Sequence, residues 1–152
     1  MLYLAADHRG FELKEKLKAY LQAQSVAFED CGAFAYDETD DYTNISHALV
    51  MKMDDHPDTL GVMLCGSGGG ACIALNKHKG VRAAQGFNLE EVMALRNDDD
   101  VRILALGANY ITEENMYAFV DAFIKTPFGA KERYVRRIKE IQDIEQGDFS
   151  NL

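Results

Sequence analysis

The chain has too few cysteines for a disulfide framework: three, an odd number, in 152 residues. Cys65 and Cys72 stand too far apart for the C-x-x-C spacing of zinc or thiol-redox sites, and Cys31 stands alone. His47, His56 and His78 have no second ligand at metal spacing, so no metal site is expected. No apolar run approaches the roughly 18 residues of a membrane span, and the N-terminus enters a strand without the basic stretch of a secretion signal. Basic residues are also in deficit, with 16 Lys and Arg against 25 Asp and Glu, for a formal charge of −9. Attraction to a polyanion needs the opposite sign, so neither nucleic acid nor an anionic membrane is expected as a partner. There is no internal repeat, low-complexity tract or Pro/Gly linker to divide the chain. These absences leave one soluble, cytoplasmic domain over residues 1–152, with 47% hydrophobic residues for its core and no cofactor implied. Any anionic ligand must then be held locally, by Arg, His and backbone N–H groups.

Glycine, by contrast, is concentrated. The stretch from Gly61 to Lys77 reads as a buried strand, Val62 to Leu64, that stops at Cys65, and as a helix beginning near Ala71. Between them lie Gly66, Ser67, Gly68, Gly69 and Gly70, a composition that lets amide N–H groups converge on a small anion at a helix N-terminus. The dinucleotide-binding and Walker A patterns both fail here, since neither an acidic residue on the next strand nor G-K-[S/T] follows the glycines. A lone cysteine ending a strand is more often a small core residue than a nucleophile. The combination points further, because a helix N-terminus would depress the Cys65 thiol beside donors able to hold an oxyanion.

In order, the chain alternates. Leu2 to Ala6 is a strand, Leu13, Leu17, Tyr20 and Leu21 mark a helical face, and Val26 to Cys31 is a second strand. An acidic loop between Asp37 and Asp41 precedes a helix through Ala48, Leu49, Met51 and Lys52 that stops near Pro57. After the central strand and helix come a strand from Val81 to Gly86, a helix through Val92, Met93 and Leu95, and a strand from Ile103 to Leu106. Thr112 is an N-cap ahead of Met116, Phe119, Val120, Phe123 and Ile124. A last helix from about residue 130 carries Tyr134, Ile138, Ile141 and Ile144 inward. Strands alternating with helices predict an α/β fold: a three-layer α/β/α sandwich around a five-stranded parallel, Rossmann-like sheet.

Ligands of such sheets bind beyond the carboxyl ends of the strands. Asp7-His8, Cys65-Gly66-Ser67, Gly86-Phe87-Asn88 and Gly107-Ala108-Asn109 follow four of the predicted strands. A carboxylate, an imidazole, a thiol and an N–H-rich loop on one edge make a proton-transfer site. Taken singly, Asp7 reads equally as a cap of the first helix and His8 as a solvated turn residue.

Ala6-Asp7-His8-Arg9-Gly10, Asp41-Tyr42, Leu64 to Gly70 running on to Asn76-Lys77, and Gly80-Val81-Arg82-Ala83 occur together in order and spacing. In these stretches the chain resembles the ribose-5-phosphate isomerase B and galactose-6-phosphate isomerase family, from near the N-terminus to the final helix. The resemblance implies a metal-independent aldose–ketose isomerase of sugar phosphates, in carbohydrate metabolism and the pentose phosphate pathway. It also implies a homodimer or homotetramer with active sites shared between subunits, the last helix being the candidate for packing on a partner. Cys65 is the implied base, Gly66, Gly68, Gly69 and Gly70 the anion hole, and Ser67 a proton shuttle between oxygens. Asp7 and Tyr42 are implied to contact the sugar, and His8, Arg133 and Arg137 to anchor the phosphate. Where one branch of the family has a glutamate after the glycine loop, this chain has Ala71, which places it with the cysteine branch.

Three positions depart from the pattern. The family commonly has His-Asn before the fifth strand, the histidine assisting ring opening; here Asp98 and Asp99 stand there, and an acid role for Asp98 competes with a plain acidic turn. The family often has a further phosphate-binding arginine after that strand; here Asn109 stands instead. The expected activity is therefore isomerisation of ribose 5-phosphate or a related pentose or hexose phosphate. The alternatives are a non-catalytic phosphometabolite-binding module, or partner subunit of a hetero-oligomeric isomerase, and a thiol redox sensor at Cys65.

Overall fold

The computed structural model describes residues 1–54, 56 and 58–150. Five strands, β1 (Leu2–Ala6), β2 (Phe28–Asp30), β3 (Leu60–Cys65), β4 (Ala83–Gln85) and β5 (Ile103–Gly107), alternate with helices. The helices are α1 (Phe11–Ala23), α2 (Tyr42–Asp54), α3 (Gly69–Leu75), α4 (Leu89–Asp99), α5 (Glu113–Lys125) and α6 (Glu132–Glu145). The strands form one parallel sheet in the order β2-β1-β3-β5-β4. The expected stop near Pro57 lies outside the described residues. Among those residues no helix is long and apolar enough to cross a membrane.

Alternation along the strands divides the core into two faces. Leu4, Ala6, Val62, Leu64, Leu104 and Leu106 meet Leu17 and Leu21 of α1, Val92 of α4 and Phe119 and Phe123 of α5. Tyr3, Ala5, Met63 and Cys65 point the other way, onto Leu49, Val50 and Met53 of α2 and Ala71 and Leu75 of α3. Every strand residue of β1 is buried, as a sheet covered on both sides requires. Helix α1 thus leaves β1 toward one face while α3 leaves the neighbouring β3 toward the other. Their divergence opens a crevice at the carboxyl ends of β1 and β3, where Ala6 pairs with Leu64.

Two helices start on side-chain caps. Thr112 accepts from the Asn115 N–H at 3.2 Å and Asn88 from the Glu91 N–H at 2.9 Å, with the Glu91 carboxylate returning to the Phe87 N–H. The strand at Val26 to Cys31 is shorter than expected, and so is that at Val81 to Gly86; only the residues that pair with β1 and β5 count. Helix α6 corrects the sequence reading more substantially. It packs on α4 and buries Tyr134, but Ile141 and Ile144 are about half exposed instead of facing inward. Their spacing encodes an apolar stripe, and among the described residues nothing covers its far end.

One buried charge holds the second strand and the loop after it. The Lys14 side chain is wholly buried, and its Nζ donates to Asp30 Oδ1 and to the Ala33 carbonyl, each at 2.6 Å. Lys18 donates to the other Asp30 oxygen at 2.7 Å. Burial pushes the Asp30 carboxyl up, but these lysines outweigh it and hold it below the ordinary carboxylate range.

Candidate active site

The loops after β1, β3 and β5 enclose a cavity of about 420 Å³, a volume typical of small-molecule sites. Asp7, His8, Tyr42, Cys65, Gly66, Ser67, Gly70 and Asn109 line it. They converge because β1, β3 and β5 are adjacent and parallel, with Cys65 paired to Gly107 at the sheet's edge.

Cys65 is the last residue of β3 and only 3% exposed. The Gly68 N–H donates to its sulfur at 3.2 Å, and the Ser67 and Ala71 N–H groups are also directed at it. Burial nevertheless pushes the thiol above its ordinary value, with the Asp7 charge adding to the rise and those N–H groups opposing it. The expectation of a depressed thiol is thereby corrected. Helix α3 has seven residues, and its N-terminal donors do not offset the loss of water around the sulfur.

The glycine loop is shaped by what stands against it. Gly68 has φ +82°, and a Cβ there would lie 2.6 Å from the Gln85 amide nitrogen and 3.0 Å from the Gly107 nitrogen. That same Gln85 amide donates to the Ser67 carbonyl at 2.5 Å, tying the loop to β4. A Cβ on Gly70 would come within 2.8 Å of Tyr42 Cζ, so the tyrosine ring lies directly on this glycine. Gly69 sits behind, in the first turn of α3.

Asp7 is 4% exposed, and one of its oxygens accepts from the Arg9 and Gly10 N–H groups at 2.9 and 3.0 Å, fixing the turn into α1. Burial pushes its carboxyl up, and those two N–H groups only partly offset this. His8 pairs with Asp40 twice: Nδ1 lies 2.7 Å from Oδ1, and the His8 N–H donates to the same oxygen at 3.0 Å. The Asp40 hydrogen bond raises the imidazole's pKa above its ordinary value, and it engages Nδ1, so that among the described residues no hydrogen bond occupies Nε2. The other Asp40 oxygen is buried without a hydrogen-bond partner among the described residues.

Four other expected residues form a separate group. Asp98, Asp99, Arg133 and Arg137 do not line the cavity; they meet where the end of α4 packs on α6. The Arg133 guanidinium stacks on the Tyr134 ring, 4.9 Å from its centre. The Asn97 amide and the Tyr134 hydroxyl hold Asp98 below the usual carboxylate range. Mutual repulsion with Asp99 therefore does not make Asp98 a proton donor, because these hydrogen bonds favour its charged form.

The sequence reading passed over Arg9, Asp40, Asp41 and Tyr110, which also line the cavity. Arg9 adjoins Asp7-His8 and Asp41 precedes Tyr42, so proximity to the motifs was a signal. Asp40 reads only as one more acidic residue of a loop, because its pairing with His8 spans 32 positions.

A family model described as Ribose/Galactose Isomerase matches residues 2–141. Ribose-5-phosphate isomerase B of Mycolicibacterium paratuberculosis is 37% identical over 145 residues, covering 95% of this chain and 91% of that protein. The structure of ribose-5-phosphate isomerase B of Mycoplasma genitalium with bound ribulose-5-phosphate superposes with a TM-score of 0.90 at 32% identity, over 95% of each chain. The enzyme of the same name from Thermotoga maritima gives 0.88 at 34% identity, covering 93% of this chain and 97% of that one.

Proposed function

As a member of the ribose/galactose isomerase family the chain is an aldose–ketose sugar-phosphate isomerase, and from that premise we propose that it converts ribose 5-phosphate, or a related pentose or hexose phosphate, through an enediolate with Cys65 as base and no metal. The observation that carries this is the Cys65 sulfur in the cavity wall, with the Gly68 N–H directed at it.

The chemistry follows from what each group can do. In the open-chain aldose, the Cys65 thiolate takes the C2 proton and the electron pair moves to form the C1–C2 double bond of the enediolate. Backbone N–H groups of the loop from Gly66 to Gly70 hold the negative oxygen. The Ser67 hydroxyl passes the O2 proton to O1, and the thiol returns its proton to C1. C1 is reduced, C2 is oxidised and no atom is lost. Asp7 and Tyr42 orient the sugar hydroxyls, and His8 binds the phosphate.

The second group completes the site from another copy of the chain. Arg133 and Arg137 supply phosphate contacts, Asp98 accepts the anomeric proton during ring opening, and Asp99 and Asn109 contact substrate oxygens. Asn109 does so from its own chain's cavity wall; for the other four, support comes from their exclusion from their own chain's cavity and from the half-exposed Val135, Ile141 and Ile144 of α6, an apolar surface for a homodimer or homotetramer.

The test is ketose formation from ribose, allose and galactose phosphates, with and without a chelator, beside Cys65→Ala. Conversion of one substrate, insensitive to chelator and lost in the variant, is expected. Binding without conversion of any of them would overturn the reading in favour of a phosphometabolite-binding subunit.

A further inference from the structure

The cavity's own lining is short of positive charge, and besides His8 one side chain of the same chain relieves it. Asp7, Asp40 and Asp41 all line it. His8 is the one imidazole there, and Asp40 Oδ1 at 2.7 Å matches its charge when it is protonated. Asp7 has no cationic partner among the described residues, only the N–H groups of Arg9 and Gly10. A sugar phosphate entering this space meets net negative charge, which opposes binding unless an uncommitted cation is present.

Arg9 is that cation. No carboxylate of the described residues pairs with its guanidinium, and Asp7 uses only its backbone N–H. Its side chain lies across Gly66, where a Cβ would stand 2.6 Å from Arg9 Cδ and 3.5 Å from Nε and Nη1. The bare glycine backbone is what lets the arginine stem lie flat along the loop. The opposite wall is tied to the same glycine, since the Asn109 N–H donates to the Gly66 carbonyl at 3.0 Å. Arg9, His8 and Asn109 also border a second, open hollow of about 480 Å³ outside the cavity, with Tyr36 and Glu38. Arg9 thus stands at the mouth, between the sulfur's chamber and solvent.

The geometry points to Arg9 as a phosphate ligand of this chain's own site, acting with His8 at the cavity mouth and selecting phosphorylated over unphosphorylated sugars. The inference rests on the isomerase reading for the sugar, while the uncommitted guanidinium at the cavity mouth is given by the contacts themselves. A guanidinium offers two parallel N–H donors to phosphate oxygens, which an ammonium at the same place does not. Asn109, on the facing wall, is neutral and adds a hydrogen bond without charge.

The experiment titrates inorganic phosphate against the full-length protein, Arg9→Ala and Arg9→Lys by thermal shift, and measures KM and kcat for the sugar phosphate that the parent converts. Arg9→Ala is expected to weaken phosphate binding and raise KM by roughly tenfold or more, with kcat changed far less, and Arg9→Lys to recover part of the loss. Phosphate affinity and KM within twofold of the parent in Arg9→Ala would overturn it. So would a parent that does not bind phosphate. If the parent binds phosphate but converts no sugar, the isomerase reading fails and the titration still decides on Arg9.

Discussion

The Gly68 N–H points at the Cys65 sulfur across 3.2 Å, yet burial keeps that thiol above its ordinary pKa. Near neutral pH the resting group is therefore the thiol, and the base is its minor, deprotonated form. The donors do not create a standing thiolate; they steady it when it forms. With the thiol of the free protein raised, kcat/KM rises with pH across the neutral range, by about tenfold per unit where the thiolate is scarce. A pH profile of kcat/KM checks this, and a plateau beginning near pH 6 would exclude Cys65 as base. Cys65→Ser keeps the size but raises the acid's pKa much further, so activity is expected to fall by about a thousandfold or more.

Tyr42 resting on Gly70 makes the second prediction. A methyl group at position 70 meets Tyr42 Cζ at 2.8 Å, and the ring, 38% exposed, has room to swing away. Alanine also suits the first turns of α3 better than glycine, by about 1 kcal/mol. Gly70→Ala is thus expected to leave the denaturation midpoint nearly unchanged while raising KM severalfold, because Tyr42 no longer borders the sugar. An unchanged KM would show that Tyr42 has no part in binding.

The parallel sheet and the glycine loop were legible because they are local. Apolar runs, caps and the break from Leu64 to Gly70 lie within a few residues of one another, and the fold follows from their alternation. Asp40 was not legible, because nothing in an acidic loop marks which carboxylate crosses 32 positions to reach His8. Lys14 was also hidden: a lysine at a helical core position reads as solvated until Asp30 and the Ala33 carbonyl are placed around its ammonium. The raised thiol escaped the sequence for a different reason. The loop advertises its donors, but desolvation depends on the packing of α2 and α3 over β3, which no motif records.

Asp40 sets the charge of His8. Its hydrogen bond raises the imidazole's pKa, so the charge persists to higher pH than in a free histidine and is lost as pH climbs through the folded value. In Asp40→Asn the titration observed by NMR moves to lower pH. The pH at which KM for the sugar phosphate begins to rise is expected to fall with it, while kcat at saturation holds. A KM profile that does not move would mean that His8 binds the phosphate uncharged or not at all.

Lys14 and Asp30 bear on stability alone. Removing the buried ammonium in Lys14→Ala leaves Asp30 with Lys18 and the Gly32 N–H, and a loss of about 3 kcal/mol is expected in urea unfolding. The pH dependence has a definite sign. Asp30 is depressed in the folded state, so its contribution is present above the unfolded carboxylate value and is lost as pH falls through the folded one, below 3.8. Parent and Asp30→Asn are expected to differ in stability at pH 6 and to converge in acid; a gap that persists below pH 3 would assign the effect to packing.

The separation of Cys65 from Arg137 within one chain leads to a test by mixing. If each site takes its thiol from one copy and its last-helix arginines from another, Cys65→Ala and Arg137→Ala are each deficient for different reasons. Unfolding and refolding them together in equal amounts forms mixed dimers in which one of the two sites has both residues intact. Half of the dimers are mixed, so about a quarter of parental activity is expected to return. If both residues belonged to a site within one chain, mixing would restore nothing, because every chain carries one defect. Recovered activity thus reports directly on where Arg137 acts, and its kcat/KM should retain the rise with pH that belongs to Cys65.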